Sequence, residues 1–202
     1  MANVTLKKEA TVVRKITPIA LLMMLSFPVV TQAAGLVIKN GTVYNANGVP
    51  VVDINTPNSN GLSHNVWDNL NVDKNGVIFN NSANGANTSL AGNIQGNSNL
   101  TLNEVTSKNP STINGMMEVA GDKADLIIAN PNGISVNGGG SINTGKLTLT
   151  TGTPDIKDDK LAGYSVNGGT ITLGKLDNAS PTEILSRNVV VNGKVSTDEL
   201  NV

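Results

Sequence analysis

From Gly35 onward, short runs of alternating apolar and polar residues are separated by asparagine and glycine. The pattern recurs in GLVIKNGTVYNANGVPVVDI, LNVDKNGVIFNN, ADLIIANPNGISVNGG, GKLTLTTG, YSVNGGTITLGKL and NVVVNGKVSTDELNV. Alternation puts every second side chain on one face of a strand, so each run predicts a short, half-buried β-strand. A helical apolar period shows only weakly, around Ile113 to Val119. The chain from Gly35 therefore reads as all-β. Val-Asn-Gly recurs at Val136, Val166 and Val191, each time just before a new strand-like run, at irregular spacings of 30 and 25 that solenoid coils can have.

Asn130-Pro131-Asn132-Gly133 has a physical reading in this setting. Proline fixes φ at the second position of a turn, asparagine accepts the third, including positive φ, and glycine follows. The strand-like DLIIA precedes it and ISVNG follows. The four residues predict a corner at which the chain changes direction. A β-sandwich would also give many short strands. A parallel β-helix is favoured, because asparagine and glycine suit its corners and asparagines in successive coils can form amide ladders. Coils of about 20–25 residues, stacked about 4.8 Å apart, give about seven coils and a rod about 35 Å long. Within DLIIA, at least one of Leu126, Ile127 and Ile128 is expected to point fully inward, and an outward one to matter much less.

Composition sharpens this. Aromatics are 2% of 202 residues, with Trp67 the one tryptophan, while 39% of positions are hydrophobic, so valine, isoleucine and leucine must fill thin coils. Thirty asparagines accompany 21 glycines. There is no cysteine, which removes disulfides, thiolate metal sites and cysteine nucleophiles, and one histidine, His64, which removes multi-histidine zinc sites. A net charge of −1 and so few aromatics argue against a nucleic-acid partner.

Residues 1–33 read as an export signal. Lys7, Lys8, Arg14 and Lys15 precede the apolar run Ile16 to Val30, and small residues surround a cleavage point between Ala33 and Ala34. The run is shorter than the roughly 20 residues a membrane span needs, and no basic stop-transfer cluster follows. Cleavage removes four basic residues and one acidic residue, leaving 10 against 14 and a mature charge near −4. Residues 34–202 then form one domain.

Candidate chemistry is sparse. His64, in GLSHNVW, lacks a nucleophile elbow around it, so a surface or cap role is expected. Gly138-Gly139-Gly140 has no lysine at phosphate-loop spacing and reads as a tight corner. Asp155, Asp158 and Asp159 lack the alternation and central glycine of a calcium loop and read as a solvated turn. A polysaccharide-lyase-like β-helix would need a basic catalytic residue and an acidic cluster, but Arg187 is the one arginine after the signal. No catalytic residue, metal ligand or cofactor is expected.

Two longer stretches carry a resemblance: VVDINTPNSNGLSHNVWDNLNVDKNGVIFNNS and NPSTINGMMEVAGDKADLIIANPNGISVNGGGSINTG. They resemble the amino-terminal secretion domain of two-partner-secretion exoproteins: filamentous haemagglutinin-like adhesins, contact-dependent inhibition toxins and haemolysins of Gram-negative bacteria. The resemblance covers Gly35 to Val202. It implies a right-handed parallel β-helix with an amino-terminal cap and extra-helical strands, in a secreted or surface protein reached through the periplasm. It implies the Sec machinery and an Omp85-type outer-membrane transporter, with its POTRA domains, as partners. It also implies a passenger that engages host or neighbouring cells. Asn130, Pro131, Asn132 and Gly133 match the family's second signature. Asn97, Ser98, Asn99 and Leu100 match the first in part, with serine in place of proline. Asn109-Pro110-Ser111 matches a further turn. A stand-alone lectin-like β-helical adhesin is the alternative reading.

Overall fold

The structure is a computed structural model that describes residues 35–82, 84–94 and 100–202, with residues 93, 94 and 100 described by their backbone alone. Residues 1–33, the proposed cleavage point at Ala33 and Ala34, and Asn97, Ser98 and Asn99 lie outside the described residues.

The path begins with β1 (Leu36–Ile38), β2 (Thr42–Ala46) and β3 (Val49–Asp53). β4 (Leu62–Leu70) and β5 (Val77–Asn81) follow, then a short hairpin of β6 (Ala86–Thr88) and β7 (Gly92–Ile94). Next come β8 (Leu100–Val105), β9 (Ser111–Ile113), β10 (Met116–Gly121), β11 (Ala124–Ala129), β12 (Ile134–Ile142) and β13 (Thr144–Thr150). A second hairpin, β14 (Thr153–Lys157) and β15 (Lys160–Ser165), precedes β16 (Thr170–Asp177). β17 (Thr182–Leu185), β18 (Asn188–Val191), β19 (Val195–Ser196) and β20 (Leu200–Asn201) complete it.

These strands wind into a parallel β-helix. The first face runs β4-β8-β11-β13-β17-β20, all parallel. A nine-stranded sheet supplies the other two faces, because β12 bends partway along. Its first residues pair with β9 and β16, and its last residues pair with β10. The bend falls at the predicted glycine corner. A Cβ on Gly139 would lie 2.5 Å from Ile113, and one on Gly140 would collide with the Asp177 carbonyl oxygen. Only glycine lets the neighbouring coils approach this closely.

The helix is capped at its amino-terminal end. β1 lies antiparallel on β4, and β2 and β3 form an antiparallel hairpin through Asn47-Gly48, both with positive φ (51° and 85°). This is the primed turn that the twist of a two-residue hairpin demands. The cap covers strand edges that would otherwise be open to pairing with other chains.

Inward columns fill the interior. Asn103, Ile128, Leu149 and Ile184 stand in register on the first face, each at most 1% exposed. Trp67 and Phe79, the largest buried side chains, sit near the capped end. The Trp67 indole Nε1 donates to Asn103 Oδ1 at 3.1 Å, which satisfies a buried donor. The asparagine ladder exists over two rungs: Asn65 and Asn103 are paired in register, and each amide reaches a carbonyl of the following coil, Leu102 and Ile127, at 3.5 Å. Beyond them Leu126 and Ile128 replace Thr101 and Asn103, and Leu147 and Leu149 continue the apolar columns until the buried Thr182.

The all-β reading extends through Ile113 to Val119, which spans the end of β9, a corner and most of β10. Two expectations change. Among the described residues the first face has six parallel rungs, not seven, because hairpins take up residues outside the helix. Ile128 and Leu149 are 21 positions apart but Leu149 and Ile184 are 35, and the hairpin from Thr153 to Ser165 accounts for thirteen of the fourteen extra positions. Finally, Leu126 and Ile128 point inward as alternation requires, but the outward Ile127 is only 5% exposed. The β14–β15 hairpin folds back over the first face, so that Leu161 and Tyr164 cover Leu62, Leu102, Ile127 and Ala129. The β6–β7 hairpin and its loop do the same for Val49, Val51, Ile78 and Ala120 on another face.

Candidate recognition corner

Asn130 ends the strand run of β11 and is fully buried. Its main-chain N–H donates to Thr150 O at 2.9 Å in the following coil. Its side-chain amide donates to Asn109 O and Ser111 Oγ, both at 2.9 Å, in the preceding coil. Its Oδ1 accepts from the main-chain N–H of Asn132 at 3.0 Å and from the Asn132 amide at 2.9 Å. One side chain thus ties its own turn to the coil before it, while its backbone holds the coil after it.

The turn closes with Gly133 N–H donating to Asn130 O at 3.1 Å. Proline second and glycine fourth fit the commonest β-turn. Positive φ falls on Gly133 (113°) and not on Asn132, which could also have accepted it. Glycine suits this position twice over, because a Cβ at Gly133 would also sit 3.1 Å from Thr170 O of the next coil. Asn132 is exposed, but its amide donates to Ser107 O at 2.8 Å. The solvent therefore sees the half-buried Pro131 ring, and the Asn132 side chain by its carbonyl side.

The corner belongs to a column. Asn109-Pro110-Ser111, picked out in the sequence, stands in the coil before it and supplies two of the acceptors. Thr151 and Ser186 stand in the coils after it, joined by a hydroxyl hydrogen bond of 2.9 Å. Ser107 and Thr150 are further partners that no motif announced; their role comes from stacking, which a single coil does not reveal. Leu100, the described residue of the partial first signature, opens β8 and pairs in register with Leu62.

The other candidates are placed elsewhere. His64 faces outward on β4, with Nε2 2.8 Å from Glu104 Oε2. Asp158 and Asp159 form the positive-φ turn of the β14–β15 hairpin. Their carbonyl oxygens accept amides from Asn58 and Asn60, which docks the hairpin tip near the cap. Asp155 pairs with Lys157 at 2.7 Å. Among the described residues no three histidine, cysteine or carboxylate side chains converge on one point. Tyr164, on the inner side of the same hairpin, has its phenol pushed up from 10.0 to about 12, first by burial and then by the charge of Glu183.

A capped parallel β-helix whose corners are locked coil to coil, with two hairpins folded over its outer faces, defines a rigid structural module. Its sequence matches the TPS secretion domain profile over residues 29–202, and the chain belongs to that family. It is 42% identical to the filamentous hemagglutinin of Bordetella pertussis over 184 residues, covering 85% of this chain and 5% of that protein. It is 42% identical to toxin CdiA of Yersinia pestis over 171 residues, 79% of this chain and 5% of the toxin. A hemolysin of Serratia marcescens is 38% identical over 210 residues, 90% of this chain and 13% of that one. The chain thus spans about a twentieth to an eighth of these relatives' lengths. The crystal structure of a filamentous hemagglutinin secretion domain superposes with a TM-score of 0.72 at 40% identity, covering 77% of this chain and 56% of that one.

Proposed function

We propose that this chain is the non-catalytic export module of a much larger exoprotein, an adhesin or toxin. The observation that carries the reading is the secretion-domain profile spanning residues 29–202 of a capped β-helix. Residues 1–33 direct the chain through the inner membrane by the Sec machinery. Residues 34–202 engage the POTRA domains of an Omp85-type outer-membrane transporter while still extended, adding strands to sheet edges through main-chain hydrogen bonds. Outside the cell each coil presents its N–H and C=O groups to the next, so folding runs away from the cap. The passenger beyond this domain meets host or neighbouring cells.

In this reading Asn130, Pro131, Asn132 and Gly133 act chiefly through geometry, since their hydrogen-bonding groups are largely spent on neighbouring coils. Secretion of Asn132→Ala and Pro131→Ala chains by the cognate transporter tests this beside thermal unfolding. Secretion that falls in step with stability supports it. Blocked secretion with unchanged stability would transfer the corner's role to direct contact. Normal secretion from a strain with no partner transporter would overturn the whole assignment.

A further inference from the structure

The sequence has ten Asn-Gly pairs. Such pairs are chemically reactive, because the glycine nitrogen meets no side chain on its way to the asparagine Cγ. Reaction needs that nitrogen deprotonated and unengaged, and it needs the asparagine side chain able to turn. At four corners the fold withdraws the nitrogen. Gly48 N–H donates to Asn45 Oδ1 at 2.8 Å, Gly61 N–H to Asn58 O at 2.9 Å, Gly76 N–H to Asp73 O at 3.1 Å and Gly133 N–H to Asn130 O at 3.1 Å. Several of the asparagines are pinned as well: Asn47 donates to Ala91 O at 2.7 Å and Asn132 to Ser107 O at 2.8 Å.

Asn167 differs. It lies exposed in the link between β15 and β16. Among the described residues neither its side chain nor the Gly168 N–H has a hydrogen-bond partner. Space around Gly168 is open, with no atom within 4 Å of a Cβ built there, and its φ is not in the left-handed region. The next residue, Gly169, has φ of 79° and stacks on the corner, where a Cβ would lie 2.8 Å from Pro131 O. Arg187 Nε donates to Val166 O at 3.1 Å, so a guanidinium adjoins the same link.

We propose that Asn167 is a site of spontaneous succinimide formation and deamidation in the folded protein. The Gly168 nitrogen gives its proton to solvent and bonds to Asn167 Cγ. The bond from Cγ to Nδ2 breaks and ammonia leaves. Water then opens the five-membered ring at either carbonyl, giving aspartate or isoaspartate. The product carries a new carboxylate one residue from the Val166 carbonyl that Arg187 holds, and isoaspartate lengthens the backbone beside the signature corner. The inference does not depend on the transport reading.

Ageing the purified full chain at neutral pH, followed by peptide mapping and enzymatic methylation of isoaspartate, tests this. Conversion at Asn167 is expected several-fold faster than at Asn132 or Asn60 in the folded chain, and the difference is expected to vanish in concentrated urea. Gly168→Ala, which the open space accepts, is expected to slow conversion at Asn167 several-fold without changing the unfolding midpoint. Equal conversion at Asn132 and Asn167 in the folded chain would overturn the proposal. So would an intact Asn167 amide, or a Gly168→Ala chain that converts at the same rate.

Discussion

Asn130 and Asn132 have the same chemistry and opposite surroundings. Asn130→Ala strands the buried Ser111 hydroxyl, leaves the Asn109 carbonyl to solvent and takes one of the two acceptors from the Asn132 amide. It is expected to cost about 2–4 kcal/mol, as the loss of several buried hydrogen bonds does. Asn132→Ala removes an exposed bond to Ser107 and a part-buried one to Asn130, whose Oδ1 keeps the Asn132 main-chain N–H, and is expected to cost about 1 kcal/mol. Denaturant unfolding of the two variants checks the order. Tyr164 makes a pH prediction. Its folded pKa, about 12, lies above the ordinary 10.0, so the folded state holds the phenol proton more tightly. The stability tied to this group is fully present below pH 10 and is lost as pH rises from there through about 12. Tyr164→Phe should leave neutral-pH stability little changed and flatten part of the alkaline fall. A fall of unchanged steepness would assign it to other groups.

The hairpins set the energetics of the elements they cover. Ile128→Ala should cost about 2–5 kcal/mol, since it leaves a cavity among buried apolar side chains. Ile127→Ala faces outward but lies beneath Leu161 and Tyr164, so it too should be costly in the intact chain. Replacing residues 153–165 by a short turn should expose Leu62, Leu102 and Ile127, increase binding of an apolar dye and lower the unfolding midpoint. On that background Ile127→Ala should cost little, a non-additivity that a double-mutant cycle measures. Here the limit of sequence reading is plain. Alternation in DLIIA located the inward Leu126 and Ile128, and the Asn-Pro-Asn-Gly corner was legible from turn chemistry alone. Ile127's cover was not, because it comes from a hairpin 26 to 38 positions downstream whose own burial pattern is irregular. The Asn130 partners in the preceding coil were hidden for the same reason: stacking joins residues about 20 positions apart that no local pattern links. The weak helical period at Ile113 to Val119 arises because two short strands meeting at a corner imitate one.

At the scale of the whole molecule, coils contact chiefly their neighbours, and stability behaves as a sum along one dimension. Trp67, fully buried near the cap, is a built-in reporter of one end. Ile184→Ala strikes the other end, on the first face. It should loosen the distal rungs first, so that strand content measured by circular dichroism falls at lower denaturant than the Trp67 emission shift. Coincident transitions would mean the stack melts as one unit. The spacing of the inward columns has a last consequence. Between Leu149 and Ile184 the chain makes a detour of more than a dozen residues and returns in step, with β13 and β17 paired without a slip. The detour leaves at a corner, where the backbone already turns outward and register is carried by the stack below it. Corners are therefore ports: segments of foreign length and composition can be spliced there while the helix keeps count. That makes this small rod a chassis on which a lineage, or an engineer, can mount new surface loops without redesigning its interior.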